Sequence, residues 1–169
     1  ELDCEVCRLA GGLRSLGLGR GDVVAVYLPN VPEAVVAMLA IAKIGAIVMP
    51  LFSGFGADAI AVRLDIGGAK ALVTIDASLR RGKTVSAKPI VDEAAARSPG
   101  LSHVVVLRHS GVAIPWHEGR DRWWHELCEG QPDGAPTEEM EADAPFLLVF
   151  TSGTTGKPKG VCQTHDALI

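Results

Sequence analysis

The sequence has few aromatic residues, no strong charge of either sign and no long uninterrupted apolar run. Aromatic residues make up 5% of the 169 residues and the net charge is −4, so the composition gives no sign of a nucleic-acid-binding surface. The longest apolar stretch, Ala34 to Met49, is interrupted by Lys43 and Gly45, and it falls short of the roughly 18 residues that indicate a membrane span. We therefore expect neither a nucleic-acid partner nor a membrane span.

Cysteine is also scarce, and the four cysteines are too scattered to indicate a disulfide framework. Cys4 and Cys7 form a single C-x-x-C pair, which lacks the second pair of a zinc site and the preceding strand of a thioredoxin-like site. On a helix both thiols would lie on one face, as small core residues do. We expect free thiols, no metal site and a reducing, cytoplasmic setting.

What the sequence does contain is an alternation of helical and strand patterns over its first hundred residues. Apolar residues at helical spacing predict helices at 6–16, 33–43, 57–65 and 91–97, and β-branched runs predict strands at 22–28, 45–50, 70–75 and 103–107. This order predicts an α/β fold with a largely parallel sheet. Right-handed crossovers would place helices on both faces of that sheet.

The sequence changes character between Arg108 and Pro145, where it becomes polar and contains three tryptophans. We interpret 108–145 as an acidic connector, with one helix at 121–129, that completes a first subdomain of residues 1–145. A strand at 146–150 would open the next subdomain, 146–169. Within it we predict a returning strand at 160–165 and a helix from Asp166.

A polar stretch, TSGTTGKPKG at 151–160, directly follows the apolar run FLLVF. Glycines allow several backbone N–H groups to approach one anion, and hydroxyls and lysines add further donors and positive charge. The stretch is not a Walker A loop, because Gly153 and Gly156 are too close together and Pro158 stands where Ser or Thr should follow Lys157. Pro158 also disfavours a helix beginning at Lys157. The sequence thus predicts a phosphate-binding loop between two strands, with a plain surface hairpin as the alternative.

The string FTSGTTGKPKGV resembles the signature loop of the adenylate-forming superfamily, which includes acyl-CoA synthetases, peptide-synthetase adenylation domains and luciferases. The stretches IPWHEGRDRWWHEL and SGFGADAIAVRL are most similar to its acetyl-CoA synthetase group. The resemblance implies an acid–thiol ligase. A small, short-chain carboxylate would attack the α-phosphate of ATP to give an acyl-adenylate and pyrophosphate, and the CoA thiolate would then displace AMP. It also implies Mg²⁺ bound with the nucleotide.

By this resemblance, the residues of the loop surround the β and γ phosphates of ATP, where charge grows as pyrophosphate leaves. These residues are Thr151, Ser152, Gly153, Thr154, Thr155, Gly156 and Lys157, with Lys159 at the second basic position of the motif.

A second candidate site is the dense basic stretch SLRRGKTVSAK, 78–88, which follows a predicted strand. Charge runs of this kind are usually solvated loops, which is the alternative interpretation. The acetyl-CoA synthetase group has an Arg-x-Gly-Arg stretch here that contacts the nucleotide end of CoA. Arg80, Arg81, Gly82 and Lys83 match it, with Lys83 standing where the group has arginine. Lysine keeps the charge but loses the planar fork of arginine.

Weaker signals each have an alternative without chemistry. The glycines of 54–56 could let backbone approach CoA, or could form a simple turn before a helix. Three tryptophans, Trp116, Trp123 and Trp124, are interpreted as packing residues, and His117 and His125 lack a third metal ligand. His165, just after the loop, is assigned no chemistry.

The resemblance also implies parts that these 169 residues do not include: the adenine and acyl pockets, the ribose ligand, the hinge and a C-terminal domain with the catalytic lysine. We therefore expect an N-terminal piece of the enzyme, inactive alone, with no catalytic residue of its own. Two alternatives stay open, namely an adenylating enzyme that loads a carrier-protein thiol and a truncated, non-catalytic nucleotide-binding module. An unfinished sheet would leave an open edge that favours association.

Overall fold

The computed structural model describes residues 1–80, 82–151 and 158–168, with all of their side chains except those of Arg80 and Leu168. Five α-helices are present in these ranges: α1 (Leu2–Ser15), α2 (Pro32–Lys43), α3 (Ala57–Gly67), α4 (Lys88–Ala95) and α5 (Trp124–Cys128). The strands there are β1 (Val23–Val26), β2 (Ile47–Pro50), β3 (Ala69–Ile75), β4 (Ala77–Arg80), β5 (Lys83–Ser86), β6 (His103–Leu107), β7 (Asp121–Trp123), β8 (Pro145–Thr151) and β9 (Lys159–Thr164).

Seven of these strands form one sheet, in the order β7-β6-β3-β1-β2-β8-β9. Every neighbouring pair is parallel except β8 with β9, which are antiparallel. From β1 the chain crosses to β2, on the side of the sheet order that leads to β9. From β2 it returns past β1 to β3, on the side that leads to β7. Because crossovers are right-handed, α2 lies on one face and α3 and α4 on the opposite face. The predicted α/β fold with a largely parallel, helix-covered sheet is confirmed.

The core lies between the central strands and the helices on the two faces. Strands β1, β3 and β6 are apolar and almost wholly buried, as expected for strands covered on both sides. Strand β8 is only partly buried and β9 is almost wholly exposed, so burial falls off toward that edge. The division of the chain at residue 145 stays a prediction, and β8 is hydrogen-bonded to β2 at Val48 and Leu147.

The predicted helix at 121–129 is wrong in its first part. Asp121–Trp123 is the edge strand β7, paired in parallel with β6, and only Trp124–Cys128 is helical. The buried Asp121 carboxylate and the Val106–Trp123 pairing hold this segment extended. The predicted helix at 91–97 instead begins at Lys88 with a proline in its first turn and ends at Ala95.

The last part of the connector is tied to the surface of α1 and α2 by basic side chains. Arg8 is 2.6 Å from the Asp133 carboxylate, Arg14 donates to the Pro136 carbonyl at 2.8 Å, and the Glu138 N–H donates to the carbonyl of Lys43 at 2.9 Å. This segment has no helix or strand between residues 129 and 144, but it follows a fixed path to β8.

In the described part of the chain, no helix has both the length and the apolar character needed to cross a membrane.

Candidate functional site

Four stretches of interest begin at the carboxyl edge of the parallel strands. The loop 51–56 follows β2, the hairpin β4–β5 follows β3, the segment 108–116 follows β6, and the polar stretch 151–160 begins at the end of β8. Because β8 runs parallel to β2, its carboxyl end lies at the same edge as those of β1, β2, β3 and β6. Open α/β sheets bind ligands at this edge.

Strands β8 and β9 flank the predicted phosphate loop and pair antiparallel, so the predicted returning strand is confirmed. Thr151, the last residue of β8, is paired with Lys159, the first residue of β9, and its Oγ1 is 3.5 Å from the Lys159 carbonyl. Ser152, Gly153, Thr154, Thr155, Gly156 and Lys157 lie outside the described residues. Their assignment as phosphate ligands stays a prediction.

His165 lies at the opposite end of this pair of strands from Thr151. Thr164 is paired with Pro145 at the start of β8, and the His165 N–H donates to the Ala144 carbonyl at 3.1 Å. The imidazole ring packs against Phe146, with 5.2 Å between ring centroids. His165 therefore supports the far end of the hairpin and does not face the phosphate loop.

The basic stretch is a β-hairpin, where the sequence indicated only a loop. Strands β4 and β5 pair from Ala77–Ser86 to Arg80–Lys83, and Gly82 adopts φ +75° in the turn. A two-residue hairpin turn needs residues with positive φ, which glycine adopts without strain. All four residues of β5 are exposed, so Lys83 stands in solvent at the tip. Arg81 lies outside the described residues, and the assignment of the hairpin to CoA stays a prediction.

Asp76 holds the first strand of this hairpin. Its side chain is fully buried and accepts hydrogen bonds from the backbone N–H groups of Ala77, His109, Ser110 and Gly111, at 2.6–3.1 Å. Burial by itself raises the pKa of the Asp76 carboxyl, but these four backbone donors outweigh it and bring the pKa below its ordinary value. Asp76 thus joins the hairpin to the segment after β6.

An ionic cluster lies just beyond the end of the other strand, β5. Lys88, the first residue of α4, is 0% exposed, and its Nζ lies 2.6 Å from the Asp92 carboxylate, 2.7 Å from the Asp121 carboxylate and 3.1 Å from the Pro115 carbonyl. Arg120 contacts both carboxylates. Burial raises the pKa of Asp121, but hydrogen bonds from Arg120, Lys88 and the His117 N–H overcome this and lower it.

Two adjoining clefts lie between the hairpin and the loops after β1 and β2. One has a volume of about 260 Å³ and the other about 360 Å³, and both are lined by Pro29, Ser53, Ser78 and Val85. Exposed apolar side chains, Phe52 and Leu79, border the larger cleft. An anionic ligand with an aromatic or apolar part could contact both the cationic tip and this cleft.

The glycines of 54–56 form part of the wall of the smaller cleft and also the turn before α3, while their approach to CoA stays a prediction. The Tyr27 hydroxyl lies 2.8 Å from the Phe55 carbonyl and fixes the loop to the end of β1. On the inner side, the Arg63 guanidinium is 4.2 Å from the centre of the Phe55 ring and 5.7 Å from that of Phe150, next to Thr151. Arg63 therefore connects this loop with the end of β8.

The tryptophans pack, as predicted, although one pair is also a stack. Trp116 and Trp123 lie parallel with 4.7 Å between ring centroids, and the Arg108 guanidinium sits 4.4 Å from the Trp123 ring. Within the described ranges, no group of three or more His, Cys, Asp and Glu side chains could hold a metal, and the four cysteines are free thiols.

Comparison with known proteins places these features in a family. A family model described as AMP-binding enzyme matches residues 1–169. The acetyl-coenzyme A synthetase of Streptomyces avermitilis is 49% identical over 169 residues, which cover 100% of this chain and 26% of that protein. The enzyme of the same name from Escherichia coli (strain K12) is 47% identical over 167 residues, 97% of this chain and 26% of that one.

A solved structure, acetoacetyl-CoA synthetase from Streptomyces lividans, superimposes with a TM-score of 0.87 at 33% sequence identity, over 97% of this chain and 25% of that one. The chain thus spans about a quarter of the length of the relatives that it matches. Because the family model extends over all 169 residues, the chain belongs to the AMP-binding enzyme family.

Proposed function

We propose that the protein carrying this chain is an AMP-forming acid–CoA ligase that activates a short-chain carboxylic acid. The carboxylate attacks the α-phosphate of ATP, pyrophosphate leaves, and the CoA thiolate displaces AMP from the acyl-adenylate to give a thioester. The names of the relatives support this reaction, since two are acetyl-coenzyme A synthetases and one is an acetoacetyl-CoA synthetase. We also propose that the enzyme is cytoplasmic and that the rest of the same enzyme completes the site.

One observation carries the proposal: the predicted phosphate loop and the basic hairpin start from the same edge of one sheet. In the strand order β3-β1-β2-β8, three strand spacings separate the strands from which they emerge. At about 4.8 Å per spacing this is roughly 14 Å. CoA is a long molecule whose thiol and nucleotide end are joined by a flexible arm. A separation of this size suits a nucleotide end bound at the hairpin and a thiol directed toward an adenylate near β8.

The residues of this chain supply binding and electrostatic stabilisation in this mechanism. The hydroxyls, N–H groups and Lys157 of 151–157 would bind the β and γ phosphates as negative charge grows on them, and Lys159 would add a further positive charge. Arg80, Arg81, Gly82 and Lys83 would bind the nucleotide phosphates of CoA. Mg²⁺ would enter with the ATP phosphates, as that ion usually does, and balance their charge.

The phosphate-loop half of the proposal is tested in the full-length protein by acetate-dependent exchange between ATP and pyrophosphate, which needs no CoA. The change Lys157→Ala is expected to lower the exchange rate by about 10²–10³-fold, the scale of a lost transition-state charge contact. The control is Lys70→Ala. Lys70 is exposed and lies at the start of β3, so it is at the amino ends of the strands, away from the predicted phosphate loop. An unchanged exchange rate in Lys157→Ala would contradict the assignment.

The CoA half is tested by thioester formation in the same protein. The double change Arg80→Ala/Lys83→Ala is expected to raise the KM for CoA by about tenfold or more, the scale of one lost charge-assisted contact. A holo carrier protein offered in place of CoA distinguishes the alternative in which the acyl group passes to a carrier thiol. Faster transfer to the carrier than to CoA would overturn the CoA assignment and leave the adenylation step standing.

A further inference from the structure

We propose that Lys88 is a positioning residue for CoA: by closing the buried ionic cluster, it orients the β4–β5 hairpin toward the cleft beside it. This inference rests on the proposed function, in which the hairpin binds the nucleotide end of CoA. Lys88 itself is fully buried and does not reach the cleft, so its effect on CoA passes through the backbone.

The connection between Lys88 and the hairpin is short. Strand β5 ends at Ser86 and α4 begins at Lys88, so Ala87 is the one residue between them. The Ala87 N–H donates to the backbone carbonyl of Asp76 at 3.1 Å, which ties this strand to the residue that precedes β4. A shift of Lys88 would therefore move the end of β5 directly.

The contacts of Lys88 fix it in three directions. An ammonium has three N–H donors, and three acceptors surround this one: Asp92 on the next turn of α4, Asp121 at the start of β7, and the Pro115 carbonyl of the segment after β6. Two of these three groups belong to the chain beyond β6. The cluster thus fixes α4 relative to the same part of the molecule that Asp76 binds through His109, Ser110 and Gly111.

The charges of the cluster balance, which is why it can be buried. Lys88 and Arg120 supply two positive charges, Asp92 and Asp121 supply two negative ones, and the exposed His117 ring lies 3.7 Å from Asp92. A buried, balanced pair adds little net stability compared with apolar groups of the same size. What the cluster provides beyond stability is direction, since each of its contacts has a defined partner and angle.

Away from its base, the described part of the hairpin is mostly exposed. All four residues of β5 are exposed, and Leu79 of β4 is 77% exposed. The strands that carry Lys83 are therefore held mainly at the two ends nearest the sheet, by Asp76 on one side and Lys88 on the other. If either end lost its contacts, the turn that carries Arg80 and Lys83 would occupy a wider range of positions. An anion would then bind there more weakly.

The experiment compares two reactions of the full-length protein, acetate-dependent ATP–pyrophosphate exchange and thioester formation with CoA. The variants are Lys88→Met, which keeps the length of the side chain without its charge, and Lys88→Met/Asp121→Asn, which keeps the charges of the cluster balanced. We expect the KM for CoA to rise about tenfold in both, on the scale of one weakened charge-assisted contact. The exchange rate should stay within about twofold of the unaltered protein, because Lys88 lies next to the hairpin that follows β3, and β3 is three strand positions away from β8. Lys70→Met, which removes an exposed ammonium paired with Asp22, is the control for losing a lysine.

A merely structural role would lower the melting temperature without changing the KM for CoA, and that result in either variant overturns the inference. If Lys88→Met loses both reactions, the inference is decided by the KM for CoA of the charge-balanced variant Lys88→Met/Asp121→Asn. Combining Lys88→Met with Arg80→Ala/Lys83→Ala should add nothing to the KM increase of the latter, because both act on one contact. If Arg80→Ala/Lys83→Ala leaves the KM for CoA unchanged, the hairpin assignment itself fails. If instead Arg80→Ala/Lys83→Ala raises the KM for CoA and Lys88→Met does not, only the positioning role of Lys88 is rejected.

Discussion

Asp76 is a buried carboxylate that four backbone N–H groups keep charged. Two of its partners, Ala77 and Ser110, belong to different stretches of chain, so one side chain joins the hairpin to the segment after β6. The depressed pKa of Asp76 follows from these donors, which favour the charged form against the opposing effect of burial.

The change Asp76→Asn should lower the free energy of unfolding by about 1–3 kcal/mol at pH 7, because an amide cannot accept from all four donors. The folded pKa of Asp76 lies below the unfolded value of about 3.9, so its contribution is fully present above that pH. It is lost as the pH falls through the lower, folded pKa. Urea unfolding at several pH values should therefore show the gap between the two proteins closing at acid pH. Asp65→Asn, at an exposed position, is the control, and a gap independent of pH would contradict the prediction.

The sequence predicted the residues with local signals and missed those whose role depends on burial. The loop 151–160 and the basic stretch are visible because their composition is unusual over several consecutive residues. Lys88 counted only as one more charge of that basic stretch, and Asp76, one position beyond the predicted strand at 70–75, was assigned no role. Burial of Lys88 needs Asp121, which is 33 positions away, and a local pattern does not contain that contact.

Among the elements, α1 and α5 approach each other closely at a glycine. A Cβ added at Gly12 would lie 2.6 Å from the Leu127 backbone oxygen and 2.6 Å from its Cγ. A carbonyl oxygen at the end of a short helix cannot move aside as a flexible side-chain tip can. Both segments carry helical signals in the sequence, but no local pattern indicates this contact between them.

We expect Gly12→Ala to destabilise the protein. Alanine favours a helix over glycine by about 1 kcal/mol, whereas forced overpacking opposes folding by about 1–3 kcal/mol. Because the Leu127 oxygen is rigid, overpacking should outweigh the gain in helix propensity. The midpoint of thermal unfolding should therefore fall by a few degrees. Gly19→Ala is the control for adding a methyl group without a clash, because a Cβ there meets nothing within 4 Å. A midpoint for Gly12→Ala equal to or above that of the control would show that the two helices adjust freely.

Helices with a clear helical spacing of apolar residues, and strands formed by β-branched runs, were predicted to within a few residues at each end. Strand β6 was predicted with its observed limits, because four consecutive apolar residues follow His103 and polar residues stand on either side of the strand. Strands β4, β5 and β7 were not predicted. The first two form a hairpin in which all of β5 is exposed, and β7 has three residues within a stretch whose spacing also suits a helix.

At the scale of the whole molecule, the sheet has an exposed edge at β9. This strand has six residues, almost all exposed, including Val161 at 46%. Strands with free backbone groups at an edge pair readily with other chains. The other edge, β7, is half as long, and short edge strands offer fewer such groups.

We expect the 169-residue chain expressed by itself to associate through β9. Val161→Lys should shift it toward the monomer in analytical ultracentrifugation, because a charge on an edge strand discourages further pairing. Val62→Lys is the control, since Val62 is an equally exposed valine, at 43%, on helix α3. A chain that stays monomeric at high concentration, or that responds alike to both changes, would show that the edge does not drive association.

The position of β8 in the strand order has a consequence for how the chain acquires its structure. Strands β1 and β2 are joined by one helix, whereas β8 joins β2 across roughly a hundred residues. Contacts between distant parts of a chain form slowly, because the loop that they close must first lose much of its freedom. Pairing of β8 with β9 is local by comparison. The folding pathway should therefore assemble β1, β2, β3 and β6 early and admit the β8–β9 hairpin, already formed, in its final phase.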